Sequence, residues 1–160
     1  EFNAVDLAGY YRRTDQASAP APADEATRAA FTYDGEFLRL PKSIPLQQSE
    51  VLAPYRARLV ELNALLRPYT LHFGYRVADE VLLYLWNAHQ LGAAAFSLDT
   101  AFDYQCYQKI LPKFHGSQAK LQEPLEALLA FCHQYDYTRS ATKIQQMLDQ
   151  LKKEGFASFA

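Results

Sequence analysis

The chain has 160 residues, enough for one domain with a substantial core. Hydrophobic residues make up 49% and aromatics 14%, with 11 Tyr and 10 Phe, which excludes disorder for most of the length. The net charge is −2, from 16 basic and 18 acidic residues, so no bulk field draws the chain to nucleic acid or to a membrane.

Glu1 to Val5 reads as a short strand, and Asp6 is placed to cap a brief helix over Leu7 to Tyr11. Residues 17–26 form a Pro/Ala tract, expected as an extended and mobile surface loop. Phe31-Thr32-Tyr33, Asp34-Gly35 and Glu36-Phe37-Leu38 carry a hairpin signal, because Asp-Gly supplies the positive φ of a tight turn. Pro41 and Pro45 then lead to the helical part.

From Ser49 helical periodicity dominates. Val51, Tyr55, Leu59, Leu62 and Leu66 share one face of a first long helix, ended by Pro68. A second helix runs from about Tyr75 to Leu91 and is apolar nearly all round, so it is expected at the centre; Gly92 ends it. A third starts at Ser97 or Asp99, carries Phe102, Cys106 and Ile110, and stops at Pro112. Leu121, Leu125, Leu128 and Cys132 line a fourth. Ser140 is read as the cap of a fifth, with Ile144, Met147, Leu148 and Leu151 on one face and Gly155 at its end. No strand signal occurs after residue 40. The expected fold is mainly α: a five-helix bundle with a short strand and a β-hairpin in its leader.

Two segments stand out chemically. In Phe73-Gly74-Tyr75-Arg76-Val77-Ala78-Asp79-Glu80 a glycine opens a helix whose first turn holds Arg76. A cation there opposes the helix dipole. The placement makes sense if an anion docks at the same end, held by free backbone N–H groups and a guanidinium fork that matches phosphate oxygens. The plainer reading pairs Arg76 with Asp79 or Glu80 on its own helix. In Gln108-Lys109-Ile110-Leu111-Pro112-Lys113-Phe114-His115-Gly116-Ser117, Lys109 and Lys113 bracket a helix-ending proline ahead of His115. That is either a basic contact for a neighbouring subunit, nucleotide or DNA, or a helix C-terminus with lysines well placed on the dipole.

Much else is missing. No phosphate-cradling glycine loop, H-E-x-x-H, C-x-x-C or G-x-S-x-G occurs, and His72, His89, His115 and His133 are scattered, so no metal site is expected. Asp79 and Glu80 are neighbours and point about 100° apart on a helix, which rules them out as a carboxylate pair. Cys106 and Cys132 fall on apolar helix faces and read as small hydrophobes in a reducing cytosol. No apolar run approaches the ~18 residues that span a bilayer, and no signal peptide is seen.

Taken together and in order, four motifs resemble the C-terminal portion of McrB-like restriction NTPases, AAA+ motor subunits related to the modified-cytosine restriction system. They are Glu1-Phe2-Asn3 through Asp6-Leu7, Phe73 to Val77 with Asp79-Glu80, Gln108 to Ser117, and Ser140 with Lys143-Ile144, Met147-Leu148, Leu151 and the tail Gly155-Phe156-Ala157-Ser158-Phe159. The chain starts at Glu1 without a methionine, in keeping with a piece of a larger polypeptide.

The resemblance implies that residues 1–48 are a leader from the AAA+ core and residues 49–160 its C-terminal helical lid. Arg76, following Gly74, would be the phosphate-sensing arginine called sensor 2; Lys109, Lys113 and His115 would contact a neighbouring subunit of a ring. The parent would be an ATPase or GTPase using ATP or GTP with Mg2+, while this chain alone would bind none and hold no complete active site. Its partners would be the preceding core, neighbouring ring subunits and a nuclease acting on DNA in a cytoplasmic defence system. Two other classes stand beside this reading: a stand-alone helical protein–protein interaction module without nucleotide binding, and a DNA-binding helical domain, which the balanced charge disfavours.

Overall fold

The computed structural model describes residues 6–16, 49–92 and 96–159. The expected first strand, the Pro/Ala tract, the hairpin over residues 31–38 and the prolines at 41 and 45 lie outside the described residues. Six α-helices are described: α1 (Leu7–Gln16), α2 (Ala53–Leu66), α3 (Tyr75–Leu91), α4 (Leu98–Gln105), α5 (Gln118–Gln134) and α6 (Thr138–Glu154). Two short strands, β1 (His115–Ser117) and β2 (Phe156–Ser158), pair antiparallel. The protein is mainly helical with one small sheet.

Asp6 caps α1 as expected, its Oδ1 accepting the Gly9 N–H at 2.8 Å. Leu7 and Tyr11 of α1 are buried in the same hydrophobic core as the later helices. Tyr55, Leu59, Leu62 and Leu66 of α2 are buried as the periodicity predicts, but Val51 is 41% exposed and Leu52 is buried in its place. The reason is local. Residues Glu50–Leu52 form a 3-10 turn, whose tighter winding shifts the phase of the apolar face ahead of α2. The second helix keeps its expected bounds and ends on Gly92, although Leu83, Tyr84 and Trp86 are only half-buried.

The third helix departs further from expectation. α4 starts with Ser97 as its cap, and after Gln105 the chain widens into a π turn over Cys106–Ile110. The Leu111 N–H reaches back to the Cys106 carbonyl, five residues away, and Pro112, which has no N–H, ends the run in a 3-10 turn. Phe102, Cys106 and Ile110 are all buried.

The sheet corrects the expectation that no strand follows residue 40. β1 leads into α5 and β2 follows α6, so their pairing ties together the open end of the α5–α6 hairpin, with Gly116 opposite Ala157. Gly116 has φ +148°, and an added Cβ would lie 3.2 Å from Lys120 Cδ, so glycine is required there. Three-residue strands are too short to show an alternating pattern.

The cap of the last helix is also corrected. α6 begins at Thr138, two residues before Ser140, and Ser140 is fully buried inside the first turn. Its cap comes from another helix. Asp103 of α4 accepts the Arg139 N–H on Oδ2 and the Ser140 N–H on Oδ1, each at 2.9 Å, and the Ser140 hydroxyl donates to the Asp103 carbonyl at 3.1 Å. Two of the orphan donors of a helix start are thus satisfied by a buried carboxylate from a different element.

Candidate functional site

The two segments singled out in the sequence meet in space. Gly74 is the N-cap of α3, and its carbonyl accepts the N–H groups of Val77 and Ala78. Its backbone is extended (φ −88°, ψ 176°) with open space where a Cβ would stand, so local geometry does not demand glycine. Asn63 of α2 holds the approach to this helix start, its Oδ1 accepting the Phe73 N–H at 2.8 Å in the core. Phe73 is 1% exposed.

Arg76 follows in the first turn with its side chain 91% exposed. Its Nε donates to Glu80 Oε1 at 2.9 Å, the same-helix pairing that the spacing allows. The other oxygen, Glu80 Oε2, accepts from Lys109 Nζ at 2.8 Å. Lys109 lies in the π turn, so that turn delivers a cation to the start of α3. Lys113 approaches the same region: its Nζ is 3.5 Å from the His72 carbonyl and 5.8 Å from the centre of the Phe73 ring. Burial holds its ammonium below the usual lysine pKa. His115 is exposed on β1, and no hydrogen bond or ion pair among the described residues links it to Arg76, Lys109 or Lys113. His72 Nδ1, in the loop leading into α3, is buried without a hydrogen-bond partner.

Hydrogen bonds from Lys109 and Arg76 pull the Glu80 carboxyl down from 4.5 to about 2. A depressed folded-state pKa contributes stability above the unfolded value and loses it as the pH falls toward the folded one. The ion pairs should therefore stabilise the fold above about pH 4.5 and cease to do so as the pH approaches about 2. Because Glu80 is on the surface, the effect should stay within the roughly 1 kcal/mol ceiling of exposed pairs. Melting of the chain and of Glu80→Gln across the acid range checks this: the two curves should converge at low pH. A gap that is constant with pH would mean the carboxylate charge does not matter.

The helix start is also covered on one side by α1, a long-range contact with no local signal in the chain. The Tyr10 and Tyr75 rings lie 4.5 Å apart, and the Tyr10 hydroxyl donates to Asp79 Oδ2 at 2.9 Å. Burial and that hydrogen bond push the Tyr10 phenol up to about 12. A second unforeseen cluster surrounds Arg58 of α2. Its guanidinium carbon stands 4.4 Å from the Tyr135 ring centre, 4.8 Å from Tyr55 and 5.9 Å from Tyr137. Nη1 donates to Asp99 and, at 2.8 Å, to the Tyr137 hydroxyl. This cage joins α2 to the start of α4 and to the α5–α6 turn by cation–π contacts and a half-buried ion pair. Arg58 is one of two arginines in a helix that also carries Glu61 and Asn63, and nothing in that spacing marks it out beforehand.

Cys106 and Cys132 are free and buried, and burial raises both thiols, Cys132 to about 12. They are inert small hydrophobes rather than nucleophiles. Among the described residues no group of three or more His, Cys, Asp or Glu could hold a metal ion, and no helix is long and apolar enough to cross a membrane. The cluster at α3 gathers three cations, Arg76, Lys109 and Lys113, around a helix N-terminus, an arrangement chemically able to receive an anion. No curated protein and no solved structure matches this chain. Its residues 26–156 match a protein family over most of the chain's length, and the protein belongs to that family, described as Domain of unknown function (DUF8727).

Proposed function

We propose that this chain is the C-terminal helical lid of an AAA+ NTPase subunit in an McrB-like DNA restriction system, with Arg76 as its phosphate sensor. The observation that carries the reading is the position of Arg76: second residue of α3, exposed, and held among the described residues only by a surface carboxylate that Lys109 shares. A phosphate group replacing Glu80 as the partner of Arg76 and Lys109 would gain a bidentate guanidinium and a second cation. The residues present fit the phosphate end of ATP or GTP. Among the described residues there is no set of ligands for its Mg2+, which in this reading belongs to the preceding core.

In the proposed mechanism the nucleotide's γ-phosphate supplies the negative charge that α3 reads. Arg76 contributes charge-assisted hydrogen bonds, which are worth most where subunits exclude water. Glu80 orients the arginine when the phosphate is gone, and Lys113 braces the loop before α3 through the His72 carbonyl. Switching Arg76 between Glu80 and phosphate would rotate the lid against the core, a hinge-type transition. The ring would pass that motion to a nuclease partner on DNA, a link that rests on family analogy.

In the intact NTPase, Arg76→Ala should lower steady-state ATP or GTP turnover at least tenfold. Arg76→Lys should be impaired too, since an ammonium cannot reproduce the planar fork. Melting of the 160-residue chain should hardly move, because Arg76 is on the surface. Unchanged turnover in both variants, or an intact protein that hydrolyses neither nucleotide, would remove the sensor assignment.

A further inference from the structure

A second cationic cluster lies between α4 and α6, in a cleft of about 730 Å³ lined in part by Tyr104, Tyr107, Tyr135, Asp136, Arg139 and Lys143. That volume is within the range of small-molecule sites. Arg139 and Lys143 stand one turn apart on α6, where like charges repel. Neither has a carboxylate within 4.0 Å among the described residues. Instead each lies over a ring. The Arg139 guanidinium carbon is 4.2 Å from the Tyr104 ring centre and 5.9 Å from Tyr107, and Lys143 Nζ is 5.1 Å from Phe159.

The acids that line the cleft leave both side chains unpaired among the described residues. Asp99 is taken by Arg58 and Tyr55, and both oxygens of Asp103 are taken by the α6 backbone. Among the described residues the Asp136 side chain makes no hydrogen bond or ion pair, so the cleft holds two unpaired cations beside the charged carboxylates of Asp103 and Asp136. Because Asp103 already caps the N–H groups of Arg139 and Ser140, an anion here would be held by side chains and not by the helix end. Arg139 spends one of its five donors on the Tyr104 hydroxyl, at 2.9 Å, and Lys143 makes no hydrogen bond among the described residues, so donors are left over.

The geometry points to a binding site for a phosphate monoester carried on a planar ring. Arg139 and Lys143 receive the phosphate oxygens, and the ring packs against the half-buried tyrosines of the cleft. A nucleoside monophosphate and an aryl phosphate share this chemistry. The site is separate from the start of α3 and stands independently of the reading given to Arg76.

The test is an NMR titration of the chain with AMP, phenyl phosphate and inorganic phosphate. At least one ring-bearing probe should bind tenfold or more tighter than inorganic phosphate and shift amides of α4 and α6. Tighter binding of AMP identifies a nucleotide-type ligand, and tighter binding of phenyl phosphate an aryl phosphate. Arg139→Gln and Lys143→Gln should each weaken binding at least tenfold. Lys143 has no hydrogen bond to lose, so Lys143→Gln keeps the test valid if Arg139→Gln melts early. The proposal is overturned by no amide shift at millimolar probe, by equal binding of inorganic phosphate, or by insensitivity to both substitutions.

Discussion

Phe73→Ala is expected to destabilise the chain by about 3–5 kcal/mol, the usual cost of removing a buried aromatic side chain and leaving its cavity. Phe73 is 1% exposed in the single hydrophobic core, its N–H is held by buried Asn63, and Lys113 lies 5.8 Å from its ring centre. The ring is thus the plug beneath the start of α3. A domain of this size loses roughly 2–4 °C of melting temperature per kcal/mol, so thermal unfolding should fall by roughly 10 °C. Phe73→Leu keeps most of the volume and should cost no more than about 1.5 kcal/mol. A melting temperature unmoved by Phe73→Ala would mean that the loop before α3 is not anchored in the core.

Asp103→Ala should be nearly as damaging, at about 2–4 kcal/mol. Loss of a helix cap costs roughly 0.5–2 kcal/mol. Here the stripped donors include the Ser140 N–H, which is buried, and an unmet buried donor costs about 1–3 kcal/mol more. Asp103→Asn keeps one good acceptor oxygen and should lose less. The check is denaturant unfolding of both variants beside the parent chain, with hydrogen exchange at Arg139 and Ser140. Protection there should drop in Asp103→Ala first. Equal stability of parent and Asp103→Ala would show that the first turn of α6 finds its partners elsewhere.

Much of the helical layout was readable in the chain. Tyr55, Leu59, Leu62 and Leu66 are spaced for one helix face, and that face is buried; Asp6 and Gly92 sit where α1 begins and α3 ends. Such signals depend on neighbours three and four residues apart, which is all that amphipathic periodicity and capping require. Val51 escaped the pattern because a 3-10 turn has a different period, and the π turn over Cys106–Ile110 cannot be told from an α-helix by its apolar spacing.

The candidate site was half visible. Arg76 was singled out from its position against the helix dipole, and its partner Glu80 lies at the spacing where such pairs form. That Lys109 would share Glu80, and that Lys113 would brace the His72 carbonyl 41 residues back, depends on how α3 and the π turn cross. His115 was grouped with the two lysines because it follows them closely in sequence, yet a strand carries it to the sheet with β2.

By itself, then, the sequence determined that this is a mainly helical domain, which residues face inward on α2, α5 and α6, and that a cation opens α3. Each is a property of contacts within one helix or of composition, and local propensity acts over that range. Tertiary structure alone decided that Asp103 caps α6 from α4, that three tyrosines enclose Arg58, and that β1 and β2 close the α5–α6 hairpin. Except for Tyr55, three residues from Arg58 on the same helix, these pair residues tens of positions apart. Their energy comes from burying charge and backbone donors in a shared core, so their geometry exists only once the helices have packed.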